Sequence, residues 1–146
     1  LTLKFLGDVS EDRIESMEEA VGRVALTTDA LDLAVEGLGA FPTIRRPRVI
    51  WVGVEPTPAL RALKQDLEWA LTDSGLERET RTFHPHLTLG TAEASNGAGA
   101  FRGLDDKAAA LTYKGEITVR NLDLMQSHLS KAGVRYTLRR SSAFEG

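Results

Sequence analysis

The chain has no cysteine among its 146 residues, which excludes disulfides, thiolate metal sites and cysteine nucleophiles and fits a reducing compartment. It also lacks any apolar run approaching the roughly 18 residues that span a bilayer. The longest such run lies around Val49 to Val54, so no membrane association is expected. A broadly basic face is missing too. The net charge of -3 argues against a coat on long nucleic acid, but leaves room for one small phosphate-bearing ligand in a locally basic cleft. What is present is an ordinary globular composition, 42% apolar and 27% charged, with the length of one domain that builds its own core. The expectation is a single cytoplasmic domain over residues 1–146.

Periodicity divides the chain into short elements. Leu1 to Leu6 alternates Leu1, Leu3 and Phe5 against Thr2 and Lys4, the pattern of a strand with one face toward a core. Ser10 caps a helix whose stripe is Ile14, Met17, Val21 and Val24, with Glu11 and Asp12 in the first turn. Alternation returns over Leu31 to Phe41, interrupted by Gly37 and Gly39, and a loop from Pro42 to Pro47 carries Arg45 and Arg46. Arg48 to Glu55 reads as a well-buried strand. Thr57 and Pro58 then open a helix with the stripe Leu60, Leu63, Leu67, Ala70 and Leu71, which stops near Gly75. A strand follows around His86 to Leu89, then a mobile surface loop over 92–103 and a short helix near Leu104 to Leu111. Strands over Gly115 to Gln126 and Val134 to Ser141, joined by a turn near Ser130 to Gly133, complete the chain.

The pieces repeat. Leu-Thr-Leu at Leu1 to Leu3 returns at Leu87 to Leu89, and the same lag separates Thr2 from Thr88 and Arg48 from Val134. Constant-lag self-similarity marks a duplicated unit. The second copy has a strand and a helix ahead of its Leu-Thr-Leu, so the duplication implies that a strand-helix unit stood before Leu1.

Chemistry concentrates at His86 and Thr88. Residues two apart in a strand share a face, so an imidazole and a hydroxyl emerge together while Leu87 and Leu89 turn to the core. A neutral His exchanges protons near pH 7, and a Thr hydroxyl donates to a phosphoryl oxygen. Two such strands across a pseudo-twofold would set two imidazoles on opposite sides of one phosphorus, one activating the attacking group and the other protonating the leaving oxygen. The plainer reading makes His86 a hydrogen-bonded structural residue. Trp51 and Trp69 fall on apolar faces and read as core, and His128 has no visible partner.

LTLKFLG with its Ser-capped helix, then GLGAFPTIRRPRVIWVGVE, then FHPHLTLG, resembles the 2H phosphoesterases, and more narrowly the RNA 2′,3′-cyclic phosphodiesterases once described as 2′-5′ RNA ligases (LigT-like). The likeness spans nearly the whole chain, including the closing NLDLMQSHLSKAGVRYTL. It implies an α+β fold of two pseudo-twofold-related lobes of antiparallel sheet with packed helices, and an active-site cleft between them. It makes His86 the proton acceptor, with Thr88 and Thr2 on the phosphate. It places the partner His, the proton donor, immediately before Leu1, so the chain is expected to be a fragment without that residue and without the opening strand and helix.

Phe5 matches an aromatic that lies against the nucleobase in the family, although alternation alone sends it to the core. Lys4 shares the face of Thr2, either adding charge to the cleft or standing in solvent. Thr91 occupies a position where the family commonly has an Arg. Arg45 or Arg46 would replace that charge, or both are ordinary solvated loop residues. The implied substrate is an RNA with a 2′,3′-cyclic phosphate end or a small cyclic nucleotide, handled by a monomer that needs no cofactor, no metal and no obligate protein partner. Reverse 2′-5′ ligation would use the same geometry. Two rivals remain: a non-catalytic nucleotide- or RNA-end-binding module, and a metal-dependent hydrolase built on His84 and His86, whose His-x-His spacing also occurs in metal sites.

Overall fold

The computed structural model describes residues 1–93, 95–96 and 99–146; residues 94, 97 and 98 of the expected surface loop lie outside the described residues. A 3-10 turn at Glu11–Arg13 leads into α1 (Ile14–Ala25), followed by β1 (Leu31–Thr43), β2 (Arg46–Val54) and α2 (Pro58–Thr72). Next come β3 (His86–Thr91), α3 (Leu104–Ala110), β4 (Lys114–Val119), β5 (Asn121–Ser130) and β6 (Gly133–Ala143). The α+β class read from the sequence is the class observed.

The chain forms two compact units. The first comprises Leu1–Leu3, Asp32–Thr57 and Phe83–Ile117. It holds most of a four-stranded sheet in the order β3-β2-β1-β4. β1 and β2 form an antiparallel hairpin turning at Ile44 and Arg45, where the Arg46 N–H donates to Thr43 Oγ1 at 3.2 Å. The two glycines expected to break β1 are absorbed within it. Gly37 takes φ +77° where the register shifts between Glu36 and Leu38, a bulge conformation that side chains resist. Gly39 lies under Trp51, and a Cβ there would overlap the indole ring. β2 is less buried than its apolar composition suggests, with Val49 to Gly53 only half-buried.

The second unit comprises Lys4–Leu31, Pro58–Thr82 and Thr118–Gly146. Here α1 packs on α2 and on the β5–β6 hairpin. The helical stripes behave as their spacing predicts: Met17, Val21 and Val24 from α1 and Leu60, Leu63, Leu67 and Leu71 from α2 are buried. Burying each Leu fully contributes on the order of 1.5–3 kcal/mol. Gly75 follows the end of α2, and its N–H donates to the Thr72 carbonyl at 2.8 Å.

Four expectations are corrected. Leu1 to Leu6 forms no strand, because a strand requires a hydrogen-bonded neighbour and neither sheet supplies one. Ser10 sits at the predicted helix start, but makes no side-chain cap; its carbonyl accepts the Arg13 N–H instead. The run Gly115 to Gln126 is two strands, not one: β4 extends the four-stranded sheet beside β1, whereas β5 pairs with β6. Trp69 is exposed, with the Arg78 guanidinium stacked 3.9 Å from its ring centroid.

One polar feature of the second unit has no counterpart in the periodicity. Lys64 and Glu68, one turn apart on α2, are both buried and ion-paired. Lys4 Nζ reaches Glu68 Oε2 at 2.7 Å, and the Glu79 N–H donates to the same oxygen at 3.0 Å. Burial pushes the Glu68 carboxyl up, but the hydrogen bonds from Lys4, Lys64 and the Glu79 backbone outweigh it and hold the group below its ordinary value.

Candidate active site

β3 carries the His-x-Thr pair. It is the edge strand beside β2, with His86 opposite Gly53 and Thr88 opposite Trp51, so imidazole, indole and hydroxyl emerge on one face. Pro85 is buried just before it, and its carbonyl accepts the Val54 N–H at 3.1 Å, which anchors the start of the strand. His86 is half-buried and Thr88 exposed. Leu89 does not reach the core: the register slips between Ile50 and Trp51, Leu89 is skipped in the ladder, and 63% of it is exposed.

The imidazole is held on two sides. His86 Nδ1 lies 2.8 Å from the His84 carbonyl oxygen. A carbonyl only accepts, so the neutral ring carries its proton on Nδ1 and presents a lone pair at Nε2. Phe41 meets the ring edge-to-face, with centroids 5.2 Å apart at 83°. Trp51 lies 6.0 Å away at 52°, and Phe41 and Trp51 touch at 5.1 Å. These aromatic neighbours restrict the imidazole's rotation and supply apolar surface beside it.

Thr2 falls in the same compact unit as His86 and Thr88, exposed within an extended segment outside any strand. Lys4 and Phe5 belong to the other unit. Phe5 is 84% exposed, which overturns the core placement that alternation gave it and leaves the ring face accessible. Lys4 is neither solvated nor a free charge: its side chain is 6% exposed, bonded to Glu68 and to the Glu77 carbonyl at 2.9 Å. A buried ammonium needs such partners, and meeting that need takes its charge away from any anionic ligand.

Thr91 ends β3 opposite Val49, exposed. Arg45 is exposed at the hairpin turn, yet paired with Asp105 Oδ2 at 3.1 Å; that hydrogen bond holds the Asp105 carboxyl below the usual carboxylate range. Arg46 is exposed at the start of β2. His128 Nε2 lies 2.9 Å from Thr137 Oγ1 across the β5–β6 hairpin, the partner that the sequence did not reveal. Among the described residues, no group of three or more His, Cys, Asp or Glu side chains is placed to hold a metal ion.

The residues that sequence reasoning missed are Phe41 and Trp51, read only as spacing landmarks and core. The available signal was Gly39, a glycine in mid-strand where a ring from the neighbouring strand needs the space.

The chain thus combines an α+β fold with a His-x-Thr pair on the edge strand of an antiparallel sheet. The chain belongs to the 2′-5′ RNA ligase superfamily, the 2H phosphoesterases, whose sequence profile matches residues 1–131. It is 34% identical over 137 residues to an RNA 2′,3′-cyclic phosphodiesterase of Aeropyrum pernix, covering 93% of this chain and 76% of that protein. A second RNA 2′,3′-cyclic phosphodiesterase, from Archaeoglobus fulgidus, is also 34% identical over 136 residues, covering 93% of this chain and 74% of the other. The fold superposes on the crystal structure of E. coli LigT complexed with 3′-AMP with a TM-score of 0.72 and 27% identity, over 100% of this chain and 76% of that one.

Proposed function

We propose that this protein is an RNA 2′,3′-cyclic phosphodiesterase that hydrolyses a terminal 2′,3′-cyclic phosphate to a 2′-phosphomonoester. The observation that carries the reading is the Nδ1 contact of His86 with the His84 carbonyl, which leaves Nε2 as a base on the strand face shared with Thr88. In the hydrolytic step Nε2 takes a proton from water as its oxygen bonds to phosphorus, and the bond from phosphorus to the 3′-oxygen breaks. That oxygen receives a proton from a second imidazole, the partner His that the family resemblance implies. Thr88 and Thr2 donate hydrogen bonds to the non-bridging oxygens, whose charge grows in the transition state. Replacing water by an RNA 5′-hydroxyl in the same step, with the 3′-oxygen again leaving, gives 2′-5′ ligation. Phe5, with its ring exposed, is assigned to the nucleobase. Lys4 is left out of the phosphate site, because its charge is committed to Glu68.

Each proton-transfer group of this kind contributes typically about 10²–10⁴-fold, and the step needs no metal. The reading places the protein in the cytoplasm, supported by the absence of cysteine. It also makes the protein a monomer without an obligate partner. No helix among the described residues is long and apolar enough to cross a membrane.

The test is to incubate the full-length protein with 2′,3′-cyclic nucleotides in EDTA and identify the product by phosphorus NMR. A 2′-phosphate formed at an undiminished rate supports the reading. A 3′-phosphate, or turnover abolished by EDTA, removes it. Binding without turnover favours the non-catalytic RNA-end-binding alternative.

A further inference from the structure

An open depression of about 560 Å³ lies in the first unit beside Trp51. Its walls come from β1, the hairpin turn and α3, and include Leu38, Ala40, Asp105, Ala109 and Leu111. They are mostly small or apolar, and Asp105 supplies a carboxylate. Trp51 both lines the depression and contacts the His86 ring, so the space begins one side chain away from the proposed base. Gly39 lets the Trp51 ring lie close against β1 at the edge of this space.

We infer that this depression is a nucleobase subsite, in which Trp51 supplies the aromatic surface and Asp105 accepts hydrogen bonds from an amino-bearing base edge. The inference deepens the phosphodiesterase reading by adding a base contact to the one assigned to Phe5. A flat heterocycle suits an apolar slot with an indole on its wall, because every base has a face that stacks. The carboxylate, ionised and acceptor-only, accepts from the amino groups of cytosine or guanine, whereas uracil offers it a single N3–H flanked by two carbonyls that repel it. Asp105 is now tied to Arg45, but that guanidinium is highly exposed and the pair is readily exchanged for a ligand.

The test is binding, which needs no turnover. The chain has two tryptophans, and Trp69 is exposed, so a Trp69→Phe background leaves Trp51 as the reporting indole. Cytidine and guanosine should quench its fluorescence saturably, and more tightly than uridine. Asp105→Asn should erase that preference. Ala109→Leu, at an exposed helical position that tolerates Leu, should weaken all the nucleosides at least tenfold. Its turnover of methyl ribofuranoside 2′,3′-cyclic phosphate, which has no base, should stay unchanged. Absent quenching, or Ala109→Leu binding nucleosides like its parent, overturns the subsite. Failure of the phosphodiesterase reading would show separately, as no turnover of any cyclic phosphate by the unsubstituted protein.

Discussion

Gly39 carries no side chain because the Trp51 indole occupies the space above it. Alanine there forces the ring to shift, and overpacking of this kind costs typically about 1–3 kcal/mol. Trp51 packs against Phe41 and His86, so the displacement reaches the imidazole. Gly39→Ala is therefore expected to lower the thermal midpoint and the turnover number together; a variant with unchanged turnover would separate Trp51 from His86 positioning. The common strand face of His86 and Thr88 was legible in the sequence, since it needed only the two-residue period of a strand. The aromatic box was not. Phe41 and Trp51 come from different strands, and their meeting with His86 depends on a register that shifts in both the β1–β2 and β2–β3 pairings. Lys4 was misplaced for a similar reason: its partner Glu68 lies on α2, far along the chain.

Among the elements, α2 is the one whose interior is charged. Removing Glu68 would leave the buried Lys4 ammonium without its carboxylate while Lys64 keeps Glu79 at 3.4 Å, and breaking a buried pair in this way typically costs about 3–5 kcal/mol. Glu68→Ala should show that loss in denaturant unfolding, while Lys4→Met should cost less, since Glu68 keeps Lys64 and the Glu79 N–H. The pH dependence follows from the depressed carboxyl. Its stabilising contribution is complete above the ordinary value of 4.5 and is lost as pH falls through the lower native value. A scan of thermal midpoint against pH should fall more gently on the acid side for Glu68→Gln than for the parent; parallel curves would contradict the assignment. The apolar stripes of α1 and α2 were readable because their burial follows the helical period. The fate of Leu1 to Leu6, and the division of Gly115 to Gln126 between two sheets, depends on which neighbours offer hydrogen bonds, and alternation within one strand carries no record of that.

For the molecule as a whole, the proposed function is a metal-independent phosphodiesterase in which one imidazole takes a proton and another gives one. Such a pair gives a bell-shaped dependence of kcat/KM on pH, with one limb belonging to the base. Chelators should leave the profile intact, and a flat profile across the neutral range would contradict shared acid-base roles. The sequence supplied the family through its motifs and their spacing, whereas the tautomer of His86 required the fold, because it depends on where the His84 carbonyl points. The most direct measurement is kcat on a 2′,3′-cyclic nucleotide for the full-length protein and its His86→Ala variant, with circular dichroism to establish that both fold. A fall of about 10²–10⁴-fold is expected, with the basic-group limb of the pH profile lost. Undiminished turnover in a folded variant would contradict the proposed function.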